Sequence, residues 1–127
     1  MRAFRRPRLW LALWMLMIVA VIVLSLIPKP PIPDVLTIAK FDHFIAYLAL
    51  AACAVQLYEV RRVQIELALA LIGLGIALEF AQGYLTNYRD MSAYDALVDT
   101  VGVVLGFATA WTPLAKLLQL IDARLPR

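Results

Sequence analysis

The sequence predicts an all-α membrane protein: a four-transmembrane-helix bundle with a short interfacial amphipathic helix at its carboxyl end. Three observations predict it. Hydrophobic residues make up 64% of the 127 residues and charged residues only 17%, well outside the composition of an average soluble domain. The apolar residues fall in four runs, each close to the roughly twenty residues that an α-helix needs to cross hydrocarbon. The segments between the runs are short, so residues 1–127 read as a single membrane domain with almost no extramembrane mass.

The amino end, MRAFRRPR, places Arg2, Arg5, Arg6 and Arg8 before a first apolar run over residues 9–27. A basic start and an apolar run also describe a secretory signal. This run, however, is long, carries Trp10 and Trp14, and ends in Ser25-Leu26-Ile27-Pro28 without a small-residue cleavage pattern, so it is expected to remain as a first span. Pro28, Pro30, Pro31 and Pro33 then impose a stiff, extended connection that cannot continue the helix. A second span is expected over 41–58, with Lys40, Asp42 and His43 at its mouth and Glu59, Arg61 and Arg62 beyond it. A third covers 65–84, a polar loop 86–92, and a fourth 94–114, interrupted by Asp95 and Asp99. The tail, 114–125, has Leu117, Leu118, Ile121 and Leu125 at helical spacing and Lys116, Asp122 and Arg124 elsewhere, which suits a helix lying in the interface. Cys53 stands alone in an apolar run and reads as a small buried hydrophobe, without disulfide or metal chemistry.

The basic residues predict the topology. Alternate connections collect Arg2, Arg5, Arg6, Arg8, Arg61, Arg62, Lys116, Arg124 and Arg127 on one side and only Lys29, Lys40 and Arg89 on the other. The richer side is expected to be cytoplasmic, with both termini inside. Trp10, Tyr58 and Trp111 then mark the cytoplasmic boundary and Tyr84 and Tyr88 the outer one. Basic residues placed beside apolar runs, without interleaved aromatic platforms, give no nucleic-acid surface.

Within this frame the stretch Gly75 to Gly83, GIALEFAQG, is exceptional. Gly75, Glu79 and Gln82, with Gly83 beside them, fall at helical spacing and should form a polar, small-residue stripe that faces protein. A carboxylate inside a spanning helix is costly and is kept for function or an internal partner. His43 and Tyr47 open the second span and Asp95 and Asp99 the fourth, so all of these residues fall toward the outer side. Glu79 and Asp99 each lie about 8 Å below the boundary at the helical rise. Two carboxylates at one depth require a proton, a cation or a basic side chain between them, and His43 and Arg89 are the available bases. Gly102-x-x-x-Gly106 shares a face with Asp95 and Asp99 and is a pattern that lets helix backbones approach closely.

Lys40-x-x-His43-Phe44-x-x-Tyr47, Glu79-x-x-Gln82 and Arg89-x-x-x-x-x-Asp95-x-x-x-Asp99-x-x-Gly102-x-x-x-Gly106 together resemble the VanZ-like family of small bacterial membrane proteins. The Ser25-Leu26-Ile27-Pro28 exit also looks like that family, and the resemblance spans all four predicted helices. It implies a role for His43, Tyr47, Glu79, Gln82, Arg89, Asp95 and the two glycines. Asp99 departs from the pattern, where asparagine is usual. The family is named for a glycopeptide-resistance protein, so the resemblance implies a bacterial inner-membrane protein of the cell envelope with a possible link to antibiotic resistance.

Three functions are compatible with these residues. The expected one is an outward polar pocket of His43, Tyr47, Glu79, Gln82, Arg89, Asp95 and Asp99 that binds a lipid-linked envelope precursor, a glycan or a glycopeptide among the membrane lipids. A second is an intramembrane acid/base enzyme using Glu79, His43 and Asp99; against it, no serine or cysteine stands beside His43 as a nucleophile. A third is a helix-packing scaffold through Gly75, Gly83, Gly102 and Gly106. A through path for ions is disfavoured because the cytoplasmic halves of the helices read as apolar. One histidine with carboxylates is a thin metal set, and neither metal nor cofactor is expected.

Overall fold

The computed structural model describes residues 1–27, 38–87 and 93–126, and among them all regular structure is helical. The proline-rich connection, Lys29, and the loop with Tyr88, Arg89 and Asp90 lie outside the described residues. The chain forms α1 (Pro7–Leu26), α2 (Ile38–Leu57), α3 (Arg61–Leu85), α4 (Ala93–Ala108) and, after two 3-10 turns (Thr109–Trp111 and Pro113–Lys116), α5 (Leu117–Arg124). Three segments are long and apolar enough to cross a membrane: α1, α3, and α4 continued to Trp111. Their surfaces are those of lipid-facing helices, since Leu16, Leu24, Leu69 and Leu97 are all exposed.

Local chemistry sets the boundaries. Pro7 is the first residue of α1, where its missing N–H costs nothing, so the helix starts two residues before the apolar run. The helix α3 starts at Arg61 rather than near residue 65, because its first turn takes in the two arginines beside the short link 58–60. The fourth helix stops before residue 114. Thr112 is extended (φ −117°, ψ 162°) because the following Pro113 disfavours helical backbone, and the Thr109 hydroxyl donates to the Gly106 carbonyl at 2.6 Å where the helix tightens.

The core forms around α2, whose Tyr47, Leu50, Ala51, Ala54 and Leu57 pack with Trp14, Leu71 and Val103. The most extensive helix pair is α2 with α4, followed by α3 with α4. The reason lies in two glycines. A Cβ on Gly102 would sit 2.7 Å from the Phe44 carbonyl oxygen, and one on Gly106 would meet the Leu48 carbonyl oxygen and lie 2.8 Å from Ala51 Cβ. Only hydrogen fits there. By contrast α1 buries little beyond Trp14 and Ser25, and is tied in by the Trp14 indole N–H donating to the Leu50 carbonyl at 3.0 Å.

The end of the molecule that carries both termini is polar inside, contrary to the apolar halves expected there. Buried Gln64 donates to the carbonyls of Tyr58 at 2.7 Å and Val55 at 3.3 Å, and the Arg2 backbone N–H donates to the Leu57 carbonyl at 2.7 Å. The open carbonyls at the end of α2 are thereby satisfied by other segments. Buried Gln56 accepts the Leu118 N–H at 2.9 Å and caps α5. Asp122, expected on the polar outer side of the tail, is instead buried. It accepts the Arg5 backbone N–H at 2.5 Å and the Trp10 indole N–H at 2.8 Å, while Arg6 donates to the Pro126 carbonyl. Burial pushes the Asp122 carboxyl up, but the indole and the Arg5 and Arg6 backbone N–H groups, with the Arg6 charge, outweigh it and hold the group below the usual carboxylate range.

Two outcomes are expected. Gly106→Ala should destabilise the protein by about 1–3 kcal/mol in detergent unfolding, as overpacking against backbone does, whereas Gly73→Ala, with open space around it, should be neutral or slightly stabilising because alanine is the better helix former. The clasp at Asp122 has a depressed folded-state pKa, so its contribution is complete above the unfolded value of about 3.9 and is lost as pH falls below it. Acid titration of thermal stability should show this loss in the wild type and a shallower one in Asp122→Asn; identical profiles would contradict the assignment.

Candidate functional site

The opposite end of the molecule brings together residues from the start of α2, the end of α3 and the start of α4. On α3, Gly75, Glu79 and Gln82 are buried along one stripe, as residues at i, i+4 and i+7 must be when one face of a helix meets protein. Gly83, one position beyond Gln82, is rotated off that stripe and is exposed. On α4, Asp99 and Gly102 are buried, with Asp95 half-buried in the first turn, where a carboxylate complements the helix dipole. On α2, Tyr47 is buried and His43 retains 21% of its side-chain surface. Arg89 lies outside the described residues.

Asp99 is the centre of this arrangement. It is 2% exposed, and its Oδ1 is buried with no hydrogen-bond partner among the described residues. His43 Nδ1 stands 3.7 Å from that oxygen, too far for a hydrogen bond but within range of an ion pair once the imidazole is protonated. The other carboxylate oxygen faces Gly75, where an added Cβ would lie 3.3 Å from Oδ2 and 3.5 Å from the Tyr47 ring. Gly75 thus lets α3 close over the carboxylate. Asp99 lies within electrostatic reach of Glu79 and Asp95, and the Tyr47 phenol within reach of Asp99 and Glu79, so the two deep carboxylates do share one environment.

Gln82 has a different task from the others. Its amide donates to the Ser25 carbonyl at 2.8 Å, and buried Ser25 turns its hydroxyl to the Val21 carbonyl at 2.6 Å. The amide therefore takes up a carbonyl at the end of α1 and joins it to α3, which is a tie between helices and leaves Asp99, His43, Glu79 and Tyr47 as the chemical group. Among the described residues no three His, Cys, Asp or Glu side chains are gathered closely enough to hold a metal ion. What the group can do is accept a hydrogen bond at Asp99 Oδ1 and pass a proton between His43 and the carboxylate. The chain matches no family model, no curated protein and no solved structure.

Burying an acceptor without a donor costs about 1–3 kcal/mol. Asp99→Asn, which removes the charge, is therefore expected to hold or raise the unfolding temperature. Gln82→Ala, which deprives the Ser25 carbonyl of its donor, should lower stability by about 1–3 kcal/mol. Thermal unfolding of both variants in one detergent checks the contrast, and a large loss in Asp99→Asn would show that the carboxylate is a structural tie.

Proposed function

We propose that this chain is a VanZ-like protein of the bacterial cytoplasmic membrane, with α1 to α4 as four spans and both termini inside, that binds the hydroxyl-bearing headgroup of a lipid-linked envelope precursor from the outer side. The observation that carries the reading is the buried Asp99 Oδ1, which lacks a donor and lies beside partly exposed His43. A group placed there has to donate a hydrogen bond, which a sugar or polyol hydroxyl does and a phosphodiester, having no O–H, does not. His43 keeps 21% of its side-chain surface against 3% for Asp99, so the imidazole is the more accessible of the two to an entering headgroup. Membrane helices with a carboxylate in the interior are the expected setting for such a function, and the resemblance in His43, Tyr47, Glu79, Gln82 and Asp95 points the same way. Glycopeptides carry comparable hydroxyl-rich headgroups, and a link to resistance follows from the same site.

A second reading is favoured by the His43–Asp99 pair itself. A carboxylate 3.7 Å from an imidazole nitrogen is placed to orient it as a general base or acid toward a bound ester or phosphate.

The test is binding of a polyprenyl-linked sugar to the full chain in detergent, read by native mass spectrometry, against the same lipid without the sugar. Selective retention of the glycosylated lipid is expected, with a loss of about tenfold or more in Asp99→Asn and His43→Ala, the scale of one charged hydrogen bond. Cleavage of the probe during incubation would favour the enzymatic reading. Equal retention of the two lipids, unchanged by either substitution, would leave the cluster as a packing device.

A further inference from the structure

We infer that the clasp between the amino-terminal segment and α5 is a seat for anionic phospholipid, with the lipid phosphate on the arginines and the acyl region against the exposed face of α5. The helix is inverted relative to a soluble amphipathic helix: its acid, Asp122, is inside, while Leu117, Leu120 and Ile121 are outside. Such a face is stable when it lies in the boundary between headgroups and acyl chains.

The charge beside this face is one-sided. Arg5, Arg6, Leu125 and Pro126 line a shallow open groove, and Arg124 is exposed on the same helix as the apolar face. The acid that could have neutralised the groove is already used, because Asp122 spends its oxygens on the Arg5 backbone N–H and the Trp10 indole. Arg5 enters that clasp through its backbone alone, so its guanidinium is not needed to hold the fold. Among the described residues no acid forms an ion pair with Arg5, Arg8, Lys116 or Arg124, whereas Arg62 on the same end of the molecule is paired with Glu66 at 2.9 Å. Two open guanidinium groups next to exposed leucines match a phosphate attached to acyl chains, and they do not match a free anion, which has no use for the apolar face.

The experiment is a titration of the full chain in mild detergent with phosphatidylglycerol or phosphatidylcholine, read by native mass spectrometry. Phosphatidylglycerol is expected to bind more than tenfold more tightly than phosphatidylcholine. Arg5→Gln and Arg124→Gln should each weaken phosphatidylglycerol binding about fivefold, the scale expected of one basic residue at an anionic surface, and Arg62→Gln should leave it unchanged. Equal binding of the two lipids by the wild-type chain would overturn the proposal without recourse to any variant. So would an equal loss in Arg62→Gln, which would reduce the effect to net charge, or displacement of phosphatidylglycerol by millimolar inorganic phosphate, which would make the groove a free-anion site.

Discussion

The contact on which the other features depend is the approach of α4 to the backbone of α2 at Gly102 and Gly106. Between lipid-exposed helices there is no gain from excluding water, so packing and close polar contacts must hold them together. At the two glycines the backbones close to where a Cβ would collide with the Phe44 and Leu48 carbonyl oxygens, the kind of approach that Cα–H···O contacts accompany at helix interfaces. This contact also sets the register of the site. Asp99 precedes Gly102 by one turn and His43 immediately precedes Phe44, so seating Gly102 against Phe44 brings the carboxylate level with the imidazole and Tyr47. A larger residue at Gly102 would separate His43 from Asp99 as well as the helices.

The parts of this arrangement that were legible in the sequence are those written in local periodicity. Glu79, Gln82 and Gly75 recur at helical spacing, and so do Asp95, Asp99, Gly102 and Gly106; a stripe of that kind has one way to face inward. Gly83 differs from them because one step along a helix is a rotation of about 100 degrees, enough to carry it from the stripe to the exposed surface. The inward turn of Asp122 was not legible. Its donors are a backbone N–H and an indole far away in the chain, and nothing in the spacing of the tail marks it apart from Lys116 or Arg124. The same holds for Gln56 and Gln64, which look like isolated polar residues near helix ends until their carbonyl and N–H partners are in place. The end of the fourth helix was misplaced because the run of apolar residues continues past Thr112, while the constraint from Pro113 acts on the backbone.

The two ends of the molecule differ in how they treat buried polar groups. At the terminal end each buried group has found its match: Gln64 on the α2 carbonyls, Gln56 on the Leu118 N–H, Asp122 on two donors. At the other end, Asp99 keeps an oxygen unmet. Fully satisfied networks fix a structure, and an unsatisfied group in an otherwise satisfied protein is where a ligand or a proton has something to gain. The polar interior is closed at the end that carries both termini and open to a further donor at the other.

The clasp of Asp122 has a consequence for assembly. Its bonds to Arg5 and Trp10 join residues separated by 117 and 112 positions, and the neighbouring Arg6–Pro126 and Ala3–Gln119 contacts span 120 and 116. Loops of that length close after local ones, so the clasp forms after the helix pairs that need no such closure. Until it does, α1 is held by the Trp14 indole on the Leu50 carbonyl and the Gln82 amide on the Ser25 carbonyl. Docking of the amino end is thus a late and separable step, and α1 is seated in the bundle before its first residues are.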